Sequence, residues 1–211
     1  MTKPDVLLLH GVLMNSVEML YLKRRLEHAG FTVHNLFYPS VRRDVAENTT
    51  ALCKKISKLQ VDQLHIIAHS MGGIMAMHLL TKCQALPTSG RVVMIGTPLN
   101  GSYVAHRMQS WPLVNQLLRK SMAQGLDGNY PLPATMHREI GMIAGDNSTL
   151  GLGSLLGGMP ELSDGTVLVS ETQHSLLKEH IVVHSTHSGM LFSRKVAELA
   201  SRFLRTGQFA V

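Results

Sequence analysis

The chain has 211 residues, enough for one domain with a substantial core and few for two. Hydrophobic residues make up 45% and charged residues 16%, which excludes a disordered chain. A formal charge of +6 raises nucleic acid as a partner, but the basic residues fall in short, scattered groups and aromatics are only 5%, so none is expected. Those groups are Lys23-Arg24-Arg25, Arg42-Arg43, Lys54-Lys55 and Arg119-Lys120, each suited to a solvated helix face or loop.

Near the N-terminus, DVLLLHG is a short apolar run ending in Gly11, the pattern of a buried parallel strand. VLLLHGVLM could pass for the apolar part of a signal peptide. It has no basic segment before it beyond Lys3, contains His10 and lacks a small-x-small cleavage site. No run reaches the roughly 18 apolar residues of a bilayer span. These features predict a cytoplasmic protein without stable membrane insertion, export by an unrecognised route being the alternative. Two cysteines, Cys53 and Cys83, fall in separate predicted helices and offer no zinc spacing; two free thiols in a reducing compartment are expected, with a single bridge as the alternative.

Asn15 or Ser16 can cap a helix over 17–29, ended by Gly30, with Val17, Leu20, Tyr21 and Leu26 on its apolar side. FTVHNLFY is the next strand, closed by Pro39. A helix over 44–59 carries Val45, Thr49, Leu52, Ile56 and Leu59 on one stripe. The strand LHIIA, a turn at Ser70, a helix to about Cys83 and the strand RVVMIG follow. This alternation predicts an α/β fold with a largely parallel sheet flanked by helices, because parallel neighbours need crossover connections. IGMIAG, TVLVS and HIVVHS read as later strands, and Val196, Leu199, Ala200, Phe203 and Leu204 as the face of a final helix. Two stretches break the rhythm: residues 102–138, predicted as a short cap with one or two helices around Pro112, and the glycine- and leucine-rich segment 146–165. No linker separates domains, so 1–211 is read as one.

The stretch LHIIAHSMGG sets one hydroxyl, Ser70, between strand and helix, with Ala68, Gly72 and Gly73 small enough for a tight turn. Small-x-Ser-x-Gly is the pattern of a nucleophile elbow, which holds the hydroxyl above the sheet at a helix N-terminus. Three further parts occur in the order such chemistry needs. The His10-Gly11 turn can aim the Val12 amide at a developing oxyanion, and the Met71 amide supplies a second donor. VVHSTHSGML offers His184 and His187 as bases; His187 is preferred because it falls in the loop after the strand. An acid must orient the imidazole. Asp164, which opens DGTVLVS, is preferred, with Asp146 at the end of IGMIAGD as the alternative.

The motifs LLHGVL, AHSMGG, IGTPLNGS, DGTVLVSE and THSGML together resemble the α/β-hydrolase family, in particular its small bacterial lipase and esterase branch. The resemblance implies a minimal α/β-hydrolase with Ser70 as nucleophile, His187 as base, Asp164 as acid and an oxyanion hole from the Val12 and Met71 amides. It also implies that Gly96-Thr97-Pro98 and Gly101-Ser102 border the site. The sequence departs from the branch in starting directly at the oxyanion strand and in its short cap. The expected reaction is hydrolysis of a small acyl ester or lipid through an acyl-enzyme, with no cofactor and no metal. Acyl transfer, thioester cleavage on the same triad, or a non-catalytic binding role are the alternatives. Leu13, Met14, Met71, Leu99 and Leu155 are candidates to surround an acyl chain, core packing being their alternative role. The short cap favours short or medium acyl chains, whereas an amphipathic lid over 102–125 would suit a lipase facing a bilayer.

Overall fold

The structure is a computed structural model and describes residues 3–112, 125–128, 132–133 and 136–210. Six strands, β1 (Asp5–Leu9), β2 (Thr32–Asn35), β3 (Leu64–His69), β4 (Val92–Ile95), β5 (Ile140–Gly145) and β6 (Glu179–Val183), form one sheet in the order β2-β1-β3-β4-β5-β6. Every pairing is parallel, with Leu9 beside Ala68, His69 beside Ile95 and Gly145 beside Val183. The carboxyl ends of the strands therefore line up on one edge. The chain order reverses between β1 and β3, and the loops leaving the carboxyl ends at such a reversal open a crevice where ligands of α/β sheets bind.

Helices cover both faces, as the alternating pattern predicts. On one face α2 (Val45–Ile56) and α3 (Met71–Lys82) pack on Leu7, Leu9, Ile66, Ala68, Val92 and Met94. On the other, α1 (Leu20–His28) and the last helix, α5 (Arg194–Thr206), pack on Val6, Leu8, Ile67, Val93 and Ile95. Adjacent residues of one strand go to opposite cores because strand side chains alternate with period two. A short α4 (Tyr103–Met108) follows β4, capped by the Ser102 hydroxyl, which accepts from the Ala105 amide. It holds the start of the predicted cap; 113–124 and much of the rest lie outside the described residues.

Local chemistry explains most boundaries. Asp44 and Glu47 form a reciprocal capping box, with the Glu47 amide 2.8 Å from Asp44 Oδ1 and the Asp44 amide 3.1 Å from Glu47 Oε2. The first helix begins at Leu20 instead of Val17, because the Asn15 side chain accepts from the Val17 amide and holds 16–19 as a turn. FTVHNLFY is a strand only over Thr32–Asn35.

Two expectations are corrected. TVLVS is not a sheet strand: Asp164 Oδ1 accepts from the amides of Thr166 and Val167, turning the chain back after Gly165 (φ +88°) and leaving a single bridge, Ser163 to Leu168. Nor are the cysteines free. Cys53 in α2 and Cys83 at the end of α3 form a disulfide, with Cα atoms 5.5 Å apart. The sequence places each in its own helix but says nothing of those helices lying side by side. The pairing removes the ground on which a reducing compartment was expected. Among the described residues no helix is long and apolar enough to cross a membrane.

Candidate active site at the carboxyl edge of the sheet

Ser70 follows β3 directly and has φ 55° and ψ −129°, a region that non-glycine residues rarely adopt and that costs energy to hold. Close packing on both sides imposes it. A Cβ on Gly72 would meet the Leu9 carbonyl oxygen at 2.5 Å, and one on Gly73 would meet Thr97 Oγ1 at 2.1 Å. The Ser70 main chain is tied at both ends: its amide donates to the Ile95 carbonyl at 2.8 Å, and its carbonyl accepts from Thr97 Oγ1 at 2.9 Å. Met71 is the first residue of α3, so its N–H is among the first-turn amides that no intrahelical carbonyl reaches.

The His10-Gly11-Val12 turn leaves the neighbouring strand. The Gly11 carbonyl and the Val12 N–H belong to one peptide unit. His10 Nδ1 donates to that carbonyl at 2.9 Å, while His10 Nε2 accepts from the Tyr38 amide at 3.4 Å. Both partners are backbone groups of fixed polarity, so the contacts specify the neutral tautomer with its proton on Nδ1. Burial lowers the His10 pKa in keeping with this. The Tyr38 ring stacks on His10 at 4.3 Å between centroids, and its hydroxyl donates to the His10 carbonyl. Gly11 leaves room for Ser70 beside the turn, since a Cβ there would lie 3.0 Å from Ser70 Cβ.

On the far side of Ser70, Asp164 and His187 form a buried pair, His187 Nδ1 donating to Asp164 Oδ2 at 2.6 Å. The His187 amide also donates to the Asp164 carbonyl at 2.9 Å. With the Thr166 and Val167 amides on Oδ1, the carboxylate accepts three hydrogen bonds while 1% exposed. Gly96 (φ +57°) brings the end of β4 against the pair, because a Cβ there would lie 3.0 Å from Asp164 Oδ2 and 3.1 Å from His187 Nδ1. Ser70 is bound to Ile95, the residue just before Gly96, so hydroxyl, imidazole and carboxylate share one end of the sheet.

The alternative acid has a different partner. Asp146 bonds His184 at 2.8 Å, and the His184 side chain is 79% exposed, so that pair faces solvent. The acyl-chain candidates divide. Leu99 and Met71 are buried in the core on the α2–α3 face, where they pack rather than line an open surface. Met14 is partly buried beside Gly11, with its sulfur 3.1 Å from a Cβ built there, and Leu13 and Leu155 are mostly exposed.

Three supporting residues carry no sequence signal of their own. Tyr38 follows β2 and braces the His10-Gly11-Val12 turn. His69 precedes Ser70. Glu171 is buried, and burial raises its pKa; it accepts from the amides of Tyr103 and Leu168. With Asn100, whose side chain donates to the Ser170 and Gln173 carbonyls, Glu171 fastens the loop after β4 to the segment that carries Asp164. Only long-range contact reveals these roles, because the residues are separated by tens of positions. Among the described residues no three His, Cys, Asp or Glu side chains are grouped to hold a metal ion.

A parallel sheet wrapped by helices, with Ser70 at the β3–α3 turn, defines the class: the chain has the α/β-hydrolase fold. The mature lipase BlEst2 of Bacillus licheniformis superposes with a TM-score of 0.73 at 16% identity, covering 98% of this chain and 93% of that one. Its propeptide form gives 0.74 at 18% identity, but the match covers 90% of this chain and only 47% of that one. The metagenomic carboxyl esterase MGS0156 gives 0.68 at 15% identity over 98% of this chain and 76% of that one. The type II thioesterase BorB of the borrelidin biosynthetic cluster gives 0.64 at 15% identity over 97% and 92%. No protein-family model and no curated protein sequence matches the chain.

Proposed function

We propose that this protein is a serine hydrolase of carboxylic esters. The carrying observation is the buried Asp164–His187 pair set beside the strained Ser70 turn on one sheet edge. His187 takes the Ser70 proton as Oγ attacks the ester carbonyl, and the Val12 and Met71 amides hold the oxyanion. His187 returns that proton to the leaving alcohol, leaving an acyl-Ser70 ester. Water then attacks the acyl carbon, gives a proton to His187 and releases the acid with Ser70 restored. Asp164 keeps the imidazole proton on Nδ1 and stabilises the imidazolium formed in each half-reaction. The solved lipase and esterase neighbours support the reading. They also include a type II thioesterase, so a thioester is the second substrate class to try.

The test is cleavage of p-nitrophenyl esters of graded acyl length, with fluorophosphonate labelling located by peptide mapping. The expected result is turnover with one label at Ser70, both lost in Ser70→Ala. A folded wild-type protein that neither turns over nor labels refutes the proposal.

A further inference from the structure

His69 is completely buried at the end of a strand whose inner residues are otherwise packed among aliphatic side chains, apart from His65 near its start. Its Nε2 lies 3.1 Å from the His187 carbonyl oxygen, which can only accept, so the proton is on Nε2. Its Nδ1 is buried with no hydrogen-bond partner among the described residues, facing Gly11, where a Cβ would come within 3.3 Å. Its ring also packs on that of His187, with centroids 4.6 Å apart and planes at 45°. A buried acceptor without a partner is destabilising, so an aliphatic residue would serve packing better. What an aliphatic residue lacks is the Nε2–H donor.

We propose that His69 is a positioning residue for His187: it fixes the main chain of the base from the strand that also carries Ser70. This rests on the hydrolase reading above. His187 is held on the other side by Asp164, through its amide and through Nδ1. Those contacts set the imidazole relative to the acid but not relative to the nucleophile. The bond from His69 supplies the missing reference, because residues 69 and 70 are joined covalently at the end of β3. The distance between hydroxyl and base is thereby tied to one strand end instead of to the 185–188 loop alone. Burial, followed by the nearby His187, lowers the His69 pKa well below the ordinary value and keeps the ring neutral, so no second positive charge stands beside the imidazolium.

Three variants separate this role from packing. His69→Leu keeps the volume without the donor. His69→Gln places an amide N–H near the Nε2 position, and His69→Asn carries the same amide too short to reach the His187 carbonyl. With a p-nitrophenyl ester, His69→Leu and His69→Asn are expected to lose about 10²-fold in kcat at unchanged KM, the scale of an ångström-size misplacement, with His69→Gln recovering at least about tenfold. Thermal melts identify folded variants; should His69→Leu not fold, the Gln and Asn pair decides. A folded His69→Asn with kcat within about twofold of wild type, or a His69→Gln no faster than His69→Asn, overturns the proposal, since loss of positioning demands effects of the size above. An active wild type with such variants overturns this inference alone, whereas an inactive, unlabelled wild type overturns the hydrolase reading with it.

Discussion

Gly72→Ala probes a close approach between two backbone segments in the proposed site. The added methyl would sit 2.5 Å from the Leu9 carbonyl oxygen and 2.7 Å from that of His10. Both are backbone atoms at the end of β1, so no side-chain rotation relieves the contact. Reaching an ordinary separation near 3.4 Å requires either the start of α3 or the end of β1 to move by about 0.9 Å. The first choice displaces the Met71 amide and Ser70, and the second displaces the Val12 amide; either spoils the oxyanion geometry. A shift of about 1 Å corresponds to about 10²-fold in kcat, and overpacking of this kind destabilises by about 1–3 kcal/mol. Steady-state hydrolysis of a chromogenic ester with a thermal melt measures both. Gly157→Ala is the control: its φ is +83° and no atom lies within 4 Å of the new Cβ, so it should cost about 1 kcal/mol of backbone strain and leave kcat alone. A Gly72→Ala protein with wild-type kcat and melting temperature would show that the turn is not close-packed against β1.

Other outcomes follow from the same contacts. Asp164→Asn should lower kcat by about 10⁴-fold, because an amide does not hold the Nδ1–H tautomer, whereas Asp146→Asn breaks only the solvent-facing contact to His184 and should stay within about twofold. Equal losses in the two variants would contradict the assignment of the acid. Replacing both cysteines, Cys53→Ala with Cys83→Ala, opens a loop with a sequence separation of 30; chain entropy alone predicts a loss of about 3.6 kcal/mol in urea unfolding. Wild type that unfolds identically with and without reductant would speak against the bridge. His65 accepts from the Arg91 amide at 2.9 Å, and burial lowers its pKa to about 4. The unfolded chain thus binds a proton that the native state does not. His65 therefore adds stability above pH 6.5 that is lost as pH falls from there to about 4, about 3 kcal/mol in all. Denaturant melts at pH 7 and pH 5 should differ by about 2 kcal/mol from this residue, and unchanged stability would show that His65 is accessible to protons in the folded state.

Elements that one window of residues can specify were readable before folding. The apolar runs of β1, β3, β4 and β5 and the stripes of α2 and α5 are local patterns, and the structure contains them. The Ser70 turn was legible for the same reason, since its small neighbours and its strand-to-helix setting lie within ten residues. TVLVS was misread because its β-rich composition was weighed above the Asp164-Gly165 turn signal just before it, whose carboxylate captures the Thr166 and Val167 amides. Which partners meet is settled in the folded chain. It set Asp164 against His187 and Asp146 against His184, joined Cys53 to Cys83, and placed Tyr38, His69 and Glu171 behind the site. Hydrophobic periodicity specifies which face of an element is buried but not which element lies beside it. Strand order and register bring residues 10, 70, 164 and 187 to one edge, and those are properties of the whole sheet.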